Sequence, residues 1–288
     1  MVGYHWLKET DSTENREAEE TNRISEKTSK PIEQSENFKP TSDEISARAY
    51  DETIHHMTAE YSDIMPEEQR VRINIESSLY KPTVMSRETY CERFPESDPN
   101  VLGHYDSEGQ IFLKDDSPEI IRHLTTHEAI HLTSYNELDD SDLHTRIYRS
   151  GIRECKYDES SIQYDKNCAL NEGITETYAL KELRRRGESS SAEAVSAYPE
   201  AQKAAGELQD VLGEECIEKA FFGGDVEQLK DEVIRLNFGE STAWDKYAES
   251  VDVLEYGTDE EQIRKAKSEL AKQNAIMLSF KEYESRTA

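Results

Sequence analysis

His127 and His131 stand four residues apart with Glu128 beside the first, in the run His127-Glu128-Ala129-Ile130-His131, and that spacing is useful only on an α-helix. Helical residues four apart share a face, so both imidazoles reach one point in space and the neighbouring Glu lies over it. The flanks supply the helix. Ser117 offers a side-chain oxygen to the first free N–H groups, Pro118 suits the first helical position, and Ile120, Ile121, Leu124 and Ile130 add apolar contacts. The spacing predicts a helix over 118–134, preceded by a short strand at 110–114.

Two imidazoles one turn apart, with a carboxylate between them, form the H-E-x-x-H pattern that binds zinc. The Glu then faces the water that the ion polarises and is the candidate general base. A catalytic zinc also needs a third protein ligand and an open position. Glu172 is the best candidate, in Asn171-Glu172-Gly173-Ile174-Thr175-Glu176, which opens a helical pattern through Tyr178, Leu180 and Leu183. That pattern stops at Arg184-Arg185-Arg186-Gly187, basic residues and then Gly, as a helix C-terminus favours. Glu172 and Glu176 stand one turn apart, so the first can bind metal while the second accepts the free ring N–H of a liganding His.

These residues resemble the gluzincin metallopeptidases, in which H-E-x-x-H is followed by a helix carrying N-E-x-x-[S/T]-[D/E], as in the thermolysin-like enzymes. His127, Glu128, His131, Asn171, Glu172, Thr175 and Glu176 carry the resemblance, across roughly the middle third of the chain. It implies that His127, His131 and Glu172 are zinc (Zn2+) ligands, that Glu128 is the base and that Glu176 supports a ligand from behind. It further implies an α+β, zincin-like fold: a small antiparallel sheet, an active-site helix and a mostly helical C-terminal subdomain, with the cleft between the two halves. The strand just before the active-site helix would be the sheet edge that holds an extended substrate. The expected activity is zinc-dependent hydrolysis of peptide bonds in a protein or peptide substrate, with Glu128 activating the water. Thermolysin-like enzymes also use Tyr and His to stabilise the oxyanion, and the candidates here are Tyr164, Tyr178, His144 and Arg149.

Metzincins continue H-E-x-x-H with x-x-G-x-x-H; Ser134 and Glu137 occupy those Gly and His places here. Glu137 is therefore the alternative third ligand, and Asp139 and Asp140 read as solvated loop charges. His123, one turn before His127, reads as a packing or capping residue, and His55 and His56 as surface or boundary histidines.

A formal net charge of -28 over 288 residues repels nucleic acid and anionic membranes. No apolar stretch is long enough to span a bilayer, and residues 1–11 lack the apolar core of a secretory signal. Synthesis as a cytoplasmic protein is expected, with export open only to a signal-peptide-independent route. Cys91, Cys155, Cys168 and Cys216 form no C-x-x-C pair and read as reduced thiols. Residues 1–40 read as a polar tail, too poor in apolar residues over 8–40 to fold alone. Residues 41–187 form the catalytic core. It starts at a capping box, Thr41 to Glu44, followed by a helix bearing Ala47, Tyr50, Ile54, Met57, Tyr61 and Ile64, and then by an alternating strand at 71–76. Residues 188–288 form the helical subdomain, with a Ser-rich junction at Ser189-Ser190-Ser191, apolar stripes through Ala201, Ala204 and Leu208 and then Ile217, Ala220 and Phe221, and helices at 226–236 and 260–282. A second reading is a secreted effector or interaction protein that uses a zincin scaffold for partner binding. It would have no need of Glu128.

Overall fold

The computed structural model describes residues 40–95, 102–105, 110–142, 145–158, 162–188 and 198–287. The expected tail therefore falls outside the described residues save for Pro40, as does the Ser-rich junction. Helix α1 (Ser42–Glu60) starts at the capping box: Glu44 N–H donates to Thr41 Oγ1 at 3.3 Å, and Thr41 N–H donates to Glu44 Oε2 at 2.8 Å. Its buried face, with Tyr50, Ile54 and Met57, lies in the main core.

The strand expected over 71–76 is instead helix α2 (Glu67–Leu79). Val71, Ile73 and Ile75 alternate, but only Ile73 is buried, together with Gln69 one turn earlier, while Val71 and Ile75 are about half exposed. Acidic residues in the first turn and an Arg72–Glu76 ion pair at helical spacing favour the helix. This helix braces the next one: Arg72 Nη2 donates to Leu132 O at 2.8 Å and Gln69 Nε2 donates to Ser134 O, closing carbonyls at the end of the motif helix.

After β1 (Thr83–Met85), α3 (Arg87–Arg93), β2 (Gly103–Tyr105) and β3 (Ile111–Lys114) comes α4 (Pro118–Thr133), with Ser117 as its N-cap and Pro118 at its start as expected. The first sheet has the order β1-β3-β2, with β1 parallel and β2 antiparallel to β3. The strand before the motif helix is thus central and not the edge. A chain paired on both sides has no backbone groups left for a substrate, so within this sheet that role falls to β1 or β2.

Between α4 and the next helix runs a four-stranded antiparallel meander, β4 (Asn136–Asp142), β5 (Thr145–Ser150), β6 (Arg153–Asp158) and β7 (Ile162–Lys166). Asp139 and Asp140 therefore belong to a strand and not to a loop; Asp139 pairs with Ile147 across β4 and β5. The molecule is α+β, rich in helix with two small sheets.

The remainder is helical: α5 (Cys168–Arg185), α6 (Pro199–Leu212), α7 (Glu214–Gly223), α8 (Val226–Leu236), α9 (Ala243–Tyr256) and α10 (Glu260–Thr287). Helix α9 escaped the sequence reading, although Trp244, Tyr247, Ala248 and Val251 follow helical spacing and all are buried. It fastens two neighbours at once. Asp252 Oδ1 accepts Ala169 N–H at 2.8 Å and Glu255 Oε2 accepts Ala201 N–H at 3.0 Å, so one helix supplies acceptors to the first turns of α5 and α6. The main core runs without a break from Tyr50 on α1 through Ala129 and Ile174 to Met277 on α10. No helix among the described residues is long and apolar enough to cross a membrane, and none of the four cysteines is in a disulfide.

Two contacts fix α5 beside the motif helix. Arg186, just past its end, donates to Thr126 Oγ1 at 2.5 Å and to Ala49 O at 3.3 Å, tying α5 to α4 and α1. Gly173 lies so close to α6 that an added Cβ would overlap the Ala201 carbonyl. Backbone there cannot yield as a flexible side chain does, so Gly173→Ala is expected to cost about 1–3 kcal/mol. Thermal denaturation would show this as a fall of about 2–12 °C; an unchanged melting temperature would refute the close packing of α5 on α6.

Candidate metal centre

Helices α4 and α5 lie against each other so that His127 and His131 from one meet Glu172 from the other. His127 Nε2 and His131 Nε2 are 3.2 Å apart, and each is 3.2 Å from Glu172 Oε2. The three atoms form an equilateral triangle. Four ligands held tetrahedrally at about 2.0–2.1 Å are about 3.3 Å from one another, so this triangle has the size of one face of such a site. Two nitrogens and one oxygen are the donors of a first-row transition ion; calcium takes six to eight oxygens at about 2.3–2.6 Å. Among the described residues these three are the one group of histidine, cysteine and carboxylate side chains close enough to share an ion.

The rings are oriented from behind. Glu176 Oε2 accepts His127 Nδ1–H at 3.0 Å. Thr175 Oγ1 gives its own proton to Asn171 O at 2.9 Å, so it can only accept from His131 Nδ1, 3.4 Å away. Both contacts hold a ring proton on Nδ1, so that Nε2 is the nitrogen that would bind an ion at the triangle. Asn171, between the helices and the meander, has a structural role, with its Oδ1 accepting Ile152 N–H at 3.0 Å.

The electrostatics suit a cation. Burial by itself lowers the His127 pKa, but hydrogen bonds to Glu172 and Glu176 raise it to about 10, so the pocket attracts a positive charge where an ion would sit. Burial pushes Glu176 up, and His123 and His127 more than offset this, holding it at about 2. Burial pushes Glu128 up to about 8, against the opposing pull of His127. Both Glu128 carboxylate oxygens are buried with no hydrogen-bond partner among the described residues. Such orphaned acceptors are costly, and a polar molecule held at the ion would relieve them.

No protein-family model, curated protein or solved structure matches this chain. The site stands on its geometry.

The other sequence candidates lie elsewhere. Glu137 is taken by Arg149, whose Nη1 donates to it at 2.8 Å while its Nε donates to Glu154 at 3.0 Å. Tyr164 donates to Glu154 Oε1 at 2.6 Å. These residues form a network on the meander, and none is grouped with the histidines. Tyr178 packs in an aromatic cluster with Tyr61, Phe221 and Phe222. His144 lies outside the described residues. His55 is exposed and His56 half-buried, the latter with Nδ1 2.8 Å from Glu182 Oε2.

Tyr198 is the residue that the sequence reading missed. Its ring stacks on that of His127, with centroids 6.0 Å apart and planes inclined by 24°. It is fully buried, and its hydroxyl has no partner among the described residues. Burial first, and then the nearby charge of Glu172 and more weakly of Glu128, raise its pKa, so it remains a proton donor. Its only local mark in the sequence is the following Pro199, which signals a helix start and nothing of the site.

Proposed function

We propose that this protein is a zinc-dependent metallopeptidase of gluzincin type. The observation that carries the reading is the triangle of His127, His131 and Glu172 with the unpartnered carboxylate of Glu128 next to it. Zinc, when bound, supplies Lewis acidity toward a water and toward the carbonyl of the scissile amide. Glu128 takes a proton from the water and passes it to the leaving amine, a role for which neither oxygen is engaged among the described residues. Glu176 and Thr175 hold the two ligand rings in the required tautomer. The Tyr198 hydroxyl, with no partner among the described residues, is the donor for the carbonyl oxygen as negative charge builds on it.

An extended peptide can pair with β2. That strand is an edge, and its Gly103 lies beside Glu128, whose Oε1 would be 3.8 Å from an added Cβ. A scaffold kept for partner binding alone would have no use for a buried, unpartnered Glu128, which favours the enzymatic reading over that of an interaction protein.

The test is to incubate zinc-reconstituted protein with unfolded proteins and peptide libraries and to read new termini by mass spectrometry. Cleavage is expected in wild type and lost with Glu128→Gln at equal zinc content. No cleavage by the zinc-loaded protein, or equal cleavage by the variant, would overturn the reading. Tyr198→Phe removes one donor and should lower kcat about 10²-fold with zinc content unchanged; an unaltered kcat would remove Tyr198 from the mechanism.

A further inference from the structure

His123, His127 and His131 stand on successive turns of α4, and Glu172 and Glu176 on successive turns of α5, so the two rows interleave. Glu172 lies between His127 and His131. Glu176 lies between His123 and His127: the His123 Nε2 is 3.1 Å from Oε2 and 2.9 Å from Oε1, the hydrogen bond going to Oε2, which also accepts from His127 Nδ1 at 3.0 Å. From this we propose that His123 is a positioning residue of the metal centre, acting through Glu176 to hold His127. The inference rests on the metallopeptidase reading only in requiring an ion at His127, His131 and Glu172.

The donor that His123 offers follows from its surroundings. The ring is buried, and Nδ1 has no partner among the described residues. The ionised Glu176 carboxylate can only accept, so the His123 Nε2 that faces it at 3.1 Å carries a proton. Both donors of Glu176 then converge on one oxygen. This carboxylate is fully buried and carries its charge on those two N–H groups. With His123 lost, it would keep a single donor and gain freedom to turn, and the hold on His127 Nδ1 would loosen. A ligand ring free to tilt binds the ion less well. His123 itself contributes no atom to the triangle, so its effect must pass through Glu176.

The experiment measures zinc affinity by chelator competition, and the visible absorption of the cobalt(II)-substituted protein, in wild type, His123→Phe, His123→Gln, Glu176→Gln and the double variant His123→Phe/Glu176→Gln. His123→Phe keeps the ring and removes the donor; it is expected to weaken zinc binding about 10–100-fold and to change the cobalt spectrum. The double variant should bind zinc no more weakly than Glu176→Gln alone, because one path carries both effects. His123→Gln retains an N–H donor and should recover most of the affinity and the wild-type spectrum. It also keeps the test decisive if His123→Phe fails to fold: an affinity within about threefold of wild type supports the proposal, and a loss of about tenfold or more overturns it. Wild-type affinity and spectrum in His123→Phe, or fully additive losses in the double variant, would overturn it as well. Failure of the wild type to bind either ion would instead sink the metal centre itself, and that result differs from all the others.

Discussion

Replacing Glu172 with alanine should strip the protein of its ion. In four-ligand zinc sites the total binding free energy is about 10–16 kcal/mol, or about 2.5–4 kcal/mol for each ligand. Losing one should weaken binding about 10²–10³-fold. The remaining nitrogens of His127 and His131, 3.2 Å apart, would still face each other without the carboxylate that balances the charge of the ion. Elemental analysis should find about one zinc per chain in the reconstituted wild type and little in the variant after dialysis. Stability gives an independent readout. Free zinc at 1,000 times its Kd adds about 4 kcal/mol to the native state, which for a chain of this size raises the melting temperature by about 8–16 °C. Glu172→Ala should show almost none of that rise. Full zinc in the variant would move the third ligand elsewhere, and no zinc in wild type would end the metallopeptidase reading.

The second large effect concerns chemistry and not binding. Glu128→Gln keeps the shape of the side chain and touches none of the three ligand atoms, so zinc content should match wild type, while hydrolysis should fall about 10²–10⁴-fold with the loss of the general base. Stability should move the other way. The Glu128 carboxylate is buried with neither oxygen partnered among the described residues, and burial works against its ionisation. A neutral amide removes that penalty, so the variant should be as stable as wild type or about 1 kcal/mol more so. Calorimetry of the zinc-loaded proteins checks this. A variant that loses activity together with its fold or its zinc would show Glu128 to be structural.

The parts of the site that could be read from the sequence are those whose geometry is local. His127 to His131 and Glu172 to Glu176 are each one helical turn, and Ser117 with Pro118 marks the start of the first helix without help from any distant residue. Thr41 and Glu44 were legible for the same reason. Long-range placement was not. Nothing near Tyr198 records that α9 holds α6 by Glu255, which sets that ring against His127. The alternation in α2 misled because Val71 and Ile75 are apolar yet face outward, and a period of two over six residues cannot outweigh a helix whose polar side chains close the end of its neighbour. His123 looked ordinary because its partner, Glu176, is 53 residues away.

The meander between α4 and α5 also bears on when the site comes into being. His131 and Glu172 are separated by 41 positions, nearly all of them in or beside β4 to β7. Joining those ends before the strands have paired would mean closing a long, loose loop, an entropic cost that folding of the strands removes. The full set of ligands therefore meets at lower entropic cost once the meander is in place, and Tyr198 lies still later in the chain. Under the proposed function, a chain whose meander has yet to emerge from the ribosome has no working protease to turn on itself or on its neighbours, and uptake of the ion reports that the two ligand-bearing helices have come together.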